Sequence, residues 1–370
     1  MTRPDVPEIV VVGGGIAALE LVLALRSLAG DRVRVVVVAP NDEVVLRPEL
    51  IAAPLGVGAG SRLPWRQVAD DLGCAYVQAE VVEVDARRRR IVLHGGGTRV
   101  YDALVLAPGA RRIPAFDFVL HLGDDAGTEG LRALRQEVPR GDVQRVAFVA
   151  PTLTGWLLPL YEAALLAAHA HPALEVTLVT PEEDPLGLFG PRASAAVGAA
   201  LERAGVRFLG RRHVAVEAGA VIALGGVPEV VPAERVFSLP LLRGPGITGV
   251  PESGVYRLIA VDPFGRVHDL PDVYAIGDAT DFPIKQGAIA CQQADVAAAH
   301  IAAAFGAEVT PEPFVPELRA VLLTGTGPIA LGGATAKLPG RYLAPYLTTS
   351  SRNDCSVTTG IRARGTRGAR

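Results

Sequence analysis

Glycine at 13 and 15 and alanine at 18 fall where an apolar run gives way to a helical one, in IVVVGGGIAALELVLALR from Ile9 to Arg26. The spacing is G-x-G-x-x-G/A, and its chemistry is that of a phosphate cradle. Gly13 permits a tight turn and Gly15 lets the backbone approach a pyrophosphate. Ala18 lets the helix pack close, and the first helical N–H groups face the anion. A second stretch, RVAFVAPTLTGWLLPLYEAALLA from Arg145 to Ala167, has the same strand-turn-helix outline but Ala150, Pro151 and Thr152 where the first has glycines. Only Gly155 remains, with the large ring of Trp156 next to it, and Thr152 and Thr154 supply side chains where bare backbone is wanted. One turn is built for a dinucleotide, and its double has lost most of that construction.

The elements that hold these turns can be read from the apolar runs IVVV (9–12), VRVVVV (33–38), LVLA (104–107), VAFVA (146–150), VTLV (176–179) and VYAIG (273–277). They are continuous rather than alternating, as in parallel strands covered on both faces, and helical stretches lie between them. This predicts a doubly wound α/β sheet. The order strand, turn, helix, strand ending in Pro occurs twice (VVVVAPND and VTLVTPEED), so two Rossmann-like units are expected. The expected organisation is a discontinuous first domain over 1–112 and 237–310, a second over 113–236, and a C-terminal segment of strands and a short helix over 311–347. The tail from 348 to 370 is polar, basic and without periodicity, and is expected to be disordered.

At 370 residues, with 49% hydrophobic residues, the chain can build more than one core. A formal net charge of -3 and scattered arginines argue against a nucleic-acid partner. The run Arg87–Arg90 reads as a solvated turn between strands. Cys74, Cys291 and Cys355 are far apart, which indicates neither a zinc site nor a disulfide framework, and the seven histidines show no metal-ligand spacing. No apolar run reaches the roughly 20 residues of a membrane span, so a cytoplasmic protein is expected, with attachment to a membrane surface left open. Two of the 36 basic residues are lysine, Lys285 and Lys337. A compact ammonium on a flexible stem suits a proton relay or a carbonyl partner better than a guanidinium does.

Three stretches in order, VVVGGGIAALE, YDALVLAPGAR (101–111) and LPDVYAIGDATDFPIKQGAIACQQAD (270–295), carry a resemblance over residues 7–347. They resemble the FAD-dependent pyridine nucleotide-disulfide oxidoreductase superfamily, in its branch of type II NADH dehydrogenases and sulfide:quinone reductases. The resemblance implies two dinucleotide-binding domains and one FAD. It would set Gly13, Gly15 and Ala18 at the FAD pyrophosphate and Val82 by the adenine, with Arg47 on the cofactor as well. The acid that should end the second strand and hold a ribose is absent, Ala39 and Pro40 standing there, and Asp42 or Glu43 is the expected substitute. Ala107, Pro108 and Gly109 would form the loop usually written ATG, with Pro108 in place of Thr. Gly277 and Asp278 would meet the ribityl chain, and Lys285, Gln286 and Gly287 would lie at the flavin, with Lys285 the candidate catalytic group. In the second turn Thr152, Gly155, Trp156, Glu162 and Glu182 would mark the nicotinamide site, with NADH bound weakly. Glu182 and Glu183 disfavour the extra phosphate of NADPH.

The implied reaction passes electrons from NAD(P)H or another small donor through FAD to a quinone-like or other acceptor. IACQQAD partly matches the quinone-facing AQxAxQQ of type II dehydrogenases through Ala290, Gln292 and Gln293. Two alternatives stand: a sulfide:quinone reductase-like enzyme, for which Cys291 is the one cysteine near a flavin motif, and a flavin-binding protein without nicotinamide turnover. Whether the C-terminal segment packs on the flavin, forms a homodimer or lies on a bilayer stays open.

Overall fold

The computed structural model describes residues 6–46, 51–58, 62–152, 154–217, 220–333 and 340–350. Ten strands in chain order form its two main sheets: β1 (Glu8–Val12), β2 (Arg34–Ala39), β3 (Ala75–Gln78), β4 (Ala103–Leu106), β5 (Leu120–His121), β6 (Arg145–Val149), β7 (Glu175–Val179), β8 (Arg207–Leu209), β9 (Arg235–Ser238) and β10 (Val273–Ala275). The helices among the described residues are α1 (Ile16–Ala29), α2 (Trp65–Leu72), α3 (Asp125–Arg140), α4 (Leu158–Ala170), α5 (Pro191–Arg203), α6 (Gly287–Ala304) and α7 (Leu343–Ser350).

The first sheet runs β10-β4-β1-β2-β3 and the second β5-β9-β6-β7-β8, every neighbouring pair parallel. The outermost strand differs, β10 coming last in its unit and β5 first; the other four correspond when the strand before each turn, β1 or β6, is taken as reference (β4-β1-β2-β3 and β9-β6-β7-β8). The apolar runs explain this: Ile9, Val10, Val11, Val35, Val36 and Val37 are fully buried, which requires cover on both faces. α1 and α6 pack on one face of the first sheet, and a three-stranded antiparallel sheet (Val81–Asp85, Arg90–Leu93, Thr98–Val100) lies on the other. The duplication expected from the sequence is present.

Two boundaries move. Strand β9, Arg235–Ser238, is hydrogen-bonded within the second sheet, so the chain returns to the first domain after 238 and not at 236/237. Both crossings between the domains run through one short antiparallel pair, Arg111–Ile113 with Leu241–Arg243. At the C-terminus α7 runs to Ser350, three residues into the stretch expected to be disordered; the remainder of that tail, 351–370, lies outside the described residues. The described part of the C-terminal segment holds a hairpin of Ala320–Leu323 with Pro328–Leu331 and then α7.

The arginine run closes on its own surroundings: Arg88 and Arg90 pair with Asp85 and Arg89 with Asp272. Among the described residues no helix is long and apolar enough to cross a membrane.

Candidate functional site

The first turn is fixed from below. Gly13 has φ +113, its N–H donates to Val38 O at 2.8 Å, and a Cβ there would lie 2.1 Å from Ala107 O. Only glycine fits that crossing of three strands. Trp65, fully buried in α2, donates its indole N–H to Gly14 O at 3.0 Å and stacks on Tyr76. A Cβ on Gly15 would meet nothing within 4 Å, so the start of α1 faces open space. Ala18 is buried on α1.

That space is a cavity of about 1400 Å³ between the two domains. It exceeds the roughly 300–1,000 Å³ of a pocket for one drug-sized ligand, and suits a dinucleotide together with a second reactant. It gathers most of the residues singled out in the sequence. Gly13, Gly15, Val82, Ala107, Pro108 and Gly109 line it from the first domain, joined by Gly277, Asp278, Lys285, Gln286 and Gly287; Gly155, Trp156 and Glu162 line it from the second. Val82 sits at a β-bulge, and its carbonyl accepts the N–H of Thr248 at 3.0 Å.

Asp42 does not reach the cavity. It is exposed, and the wall after β2 is made by its neighbours Asn41 and Glu43, the latter 3.0 Å from Arg62. Arg47 lies outside the described residues. Thr152 is exposed and not on the cavity wall, 3.3 Å from His213 Nδ1. Glu182 is likewise absent from the wall: its carboxylate accepts the Tyr161 hydroxyl at 2.6 Å, and Glu183 pairs with Arg211. Burial raises the Glu182 carboxyl.

At the flavin end implied by the motifs, Lys285 Nζ donates to the carbonyls of Asp278, at 3.3 Å, and Thr280. Burial lowers its pKa to about 8 against the opposing pull of Asp278 and Asp281. Its ammonium can therefore hold or release a proton close to neutral pH. The helix α6 begins at Gly287, as the sequence indicated, with its N-terminal end on the cavity. The two glutamines thought to face a quinone are engaged elsewhere. Gln293 accepts the N–H of Gly277 at 2.7 Å, and Gln292 makes two 2.9 Å bonds with the backbone of Glu317. Both act as braces, although Gln292 also touches the cavity. Cys291 is buried, and burial together with Glu20 and Asp295 pushes its thiol up, so it is not a ready nucleophile.

One arrangement was missed. The central helix of each domain carries a buried glutamate that receives backbone N–H groups from the C-terminal segment. Glu20 in α1 accepts from Tyr342 at 2.8 Å and Leu343 at 2.7 Å; Glu162 in α4 accepts from Leu323 at 3.1 Å. A single acid in each apolar helix, IAALELVLALRSLA and LPLYEAALLAAHA, was the available signal. Beside Glu20 lies Asp295, pushed up to about 8 by burial and by the Glu20 carboxylate. Burial raises the Glu20 carboxyl too, against its backbone N–H donors; Asp295, with no such donors, is the member of the pair that keeps the proton.

The cradle at Gly15, the crossing at Gly13 and the start of α6 on one cavity fit a flavin dinucleotide. The chain belongs to the pyridine nucleotide-disulphide oxidoreductase family, whose pattern matches residues 7–304. This is a family of FAD-binding oxidoreductases. The chain is 34% identical over 140 residues to the NADH dehydrogenase-like protein Rv1812c of Mycobacterium tuberculosis, covering 35% of this chain and 34% of that protein. It is 28% identical to apoptosis-inducing factor 3 of Mus musculus over 75% of this chain and 46% of that one. The chain thus spans about a third to a half of the length of these curated relatives. In fold it is similar to the sulfide:quinone oxidoreductase of Aquifex aeolicus (TM-score 0.76, 18% identity, 86% of this chain and 81% of that one). It is similar also to NDH2 of Plasmodium falciparum solved with NADH (TM-score 0.70, 13% identity, 94% of each chain). Among the described residues no group of His, Cys, Asp or Glu is arranged to hold a metal ion.

Proposed function

We propose that this protein is an FAD-dependent oxidoreductase that takes electrons from a small donor, NADH among them but weakly bound, and passes them to a quinone-like acceptor. The observation that supports this most is the single cavity on which Gly15, Lys285, the start of α6 and the second-domain turn with Trp156 converge. FAD bound there supplies two-electron chemistry. The chain's own part would be to seat it: Gly15 and the first N–H groups of α1 would hold the pyrophosphate, Asp278 the ribityl chain, and the N-terminal end of α6 the pyrimidine edge. Lys285 Nζ, on the carbonyls of Asp278 and Thr280, would hold a proton on the same cavity. Sulfide oxidation through cysteine is disfavoured, since Cys291 is buried with its thiol pushed up.

The test is the visible spectrum of the purified protein, followed by anaerobic titration with NADH and, separately, with a reduced quinone. Flavin absorbance at one equivalent per chain, bleached slowly by NADH, is expected. A protein that neither carries FAD nor takes it up when offered would end this reading.

A further inference from the structure

Helices α1 and α6 both begin on the cavity and pack against each other, and they carry a pair of acids between them. Glu20 lies in the second turn of α1 and Asp295 in the third turn of α6, and their carboxyls share a hydrogen bond. Glu20 is fully buried, with both oxygens taken by the N–H groups of Tyr342 and Leu343. Asp295 Oδ1 is buried without a partner among the described residues, so a charge there would go uncompensated. Two carboxylates in contact repel, and the pair titrates as a unit that keeps one proton near neutral pH. Among the described residues the charged and titratable groups facing it are Arg341, on the segment before α7, and Cys291, one turn earlier on α6. Arg341 attracts the anion, and the Cys291 thiol, pushed up by burial and by both acids, stays neutral.

Position couples this pair to whatever occupies the start of α6. Asp295 is eight residues along the helix from Gly287, about 12 Å at roughly 1.5 Å per residue. It also borders the cavity, as does Arg341, which gives a proton a path to the pair.

We propose that Glu20 and Asp295 together form a redox-linked proton store, which takes one proton from solvent when a cofactor at the start of α6 is reduced and releases it when the electrons leave. The assignment rests on the reading that the flavin ring lies at that end of α6. Two electrons and one proton leave a reduced ring with one negative charge. At about 12 Å, with an effective dielectric of about 20, that charge strengthens proton binding at the pair about fivefold to tenfold. The second proton then goes to the pair, so two electrons enter with two protons and the protein gains no net charge. This happens from about pH 8 upward, where the oxidised protein has lost the pair's proton. Lys285, also at about 8, borders the same cavity and would respond to the same charge, so the test must read the carboxyl itself.

The test is the reduced-minus-oxidised infrared difference spectrum of the flavin-loaded protein, with dithionite as reductant, at about half a pH unit above the pair's midpoint. The unmodified protein is expected to gain the C=O stretch of a protonated carboxyl on reduction, and Asp295→Asn to lose that gain. Glu20→Gln removes the neighbouring charge, so Asp295 stays ionised in both states and the gain is expected to vanish there too. The flavin midpoint potential gives the magnitude. On going from neutral pH to about two units above the pair's midpoint, it should fall about 20–30 mV further in the unmodified protein than in Asp295→Asn, which is fivefold to tenfold in a two-electron couple. A carboxyl gain that survives Asp295→Asn, no gain in an unmodified protein whose flavin reduces fully, or equal pH dependence in the two proteins would overturn the store. A preparation that neither carries FAD nor takes it up is recognised by absorbance before any reduction; it defeats the flavin reading and removes this assignment with it.

Discussion

Both turns keep a glycine because backbone passes close by, but the passing backbone differs. Gly13 lies against Ala107 O of its own sheet, which leaves Gly15 beyond it open to the cavity. Gly155 lies against Pro283 O of the other domain, and no open glycine follows it. In the first turn close approach serves a ligand; in the second it docks two domains. A duplicated unit can thus keep its strand order and its turn while the interaction that selects a glycine changes.

The sharpest way to break this comparison is at the first turn. Gly13→Ala drives a Cβ into Ala107 O at a left-handed φ and is expected to cost about 3 kcal/mol or more of stability, read by urea denaturation. A Cβ at Gly15 meets no protein atom within 4 Å, so Gly15→Val should fold normally. It should nevertheless weaken FAD about a hundredfold, by keeping the pyrophosphate from the helix N–H groups, measured as flavin retained after gel filtration. A Gly15→Val protein with its full yellow complement would sink the cofactor assignment. Gly155→Ala is the counterpart, expected to cost about 2 kcal/mol of stability with flavin content kept. Loss of flavin there would mean that the second turn also serves the cofactor.

How much of this could be read from sequence follows from the range of the interactions. The glycine spacing, the continuous apolar strands and the start of α6 are local patterns, and the two sheets, the first turn and the residues around Lys285 appear where those patterns put them. Asp42 could not be separated from Asn41 and Glu43, because which of three adjacent polar residues faces inward depends on the path after the strand. Gln292 and Gln293 carried a motif but are held by Glu317 and Gly277, partners no spacing reveals. Trp65 under Gly14 and the two buried glutamates are contacts between residues 51 or more apart in sequence.

Smaller effects sharpen the contrast. Trp156→Gly opens the second turn and is expected to quicken flavin reduction by NADH about tenfold in stopped-flow traces. A rapid, saturable wild-type reaction at micromolar NADH would show that Trp156 is no obstacle. The smallest effect lies behind α1. Asp295 titrates at about 8 when folded and near its ordinary value of 3.8 when unfolded. The folded state therefore holds the extra proton between those values, and stability falls as pH rises through that window, the loss being complete above about 8. Asp295→Asn should flatten this part of the melting-temperature profile and leave the protein more heat-stable than the unmodified chain at pH 8. An unchanged slope would place the proton elsewhere.

The two glutamate clamps bear on how the chain is made. Glu20 and Glu162 lie in helices formed early in synthesis, while the N–H groups they accept come from Leu323, Tyr342 and Leu343. At about 5–20 residues per second, α1 waits on the order of tens of seconds for its partner to leave the ribosome. During that time its carboxylate must stay wet, so the helix cannot seat fully on β1. The second sheet is contiguous from β5 to β9 and can assemble while the first is still open. The nascent chain thus emerges with its later-encoded domain the more complete: the hairpin strand ending at Leu323 dries α4 first, and the arrival of Tyr342 and Leu343 at the start of α7 dries α1 last.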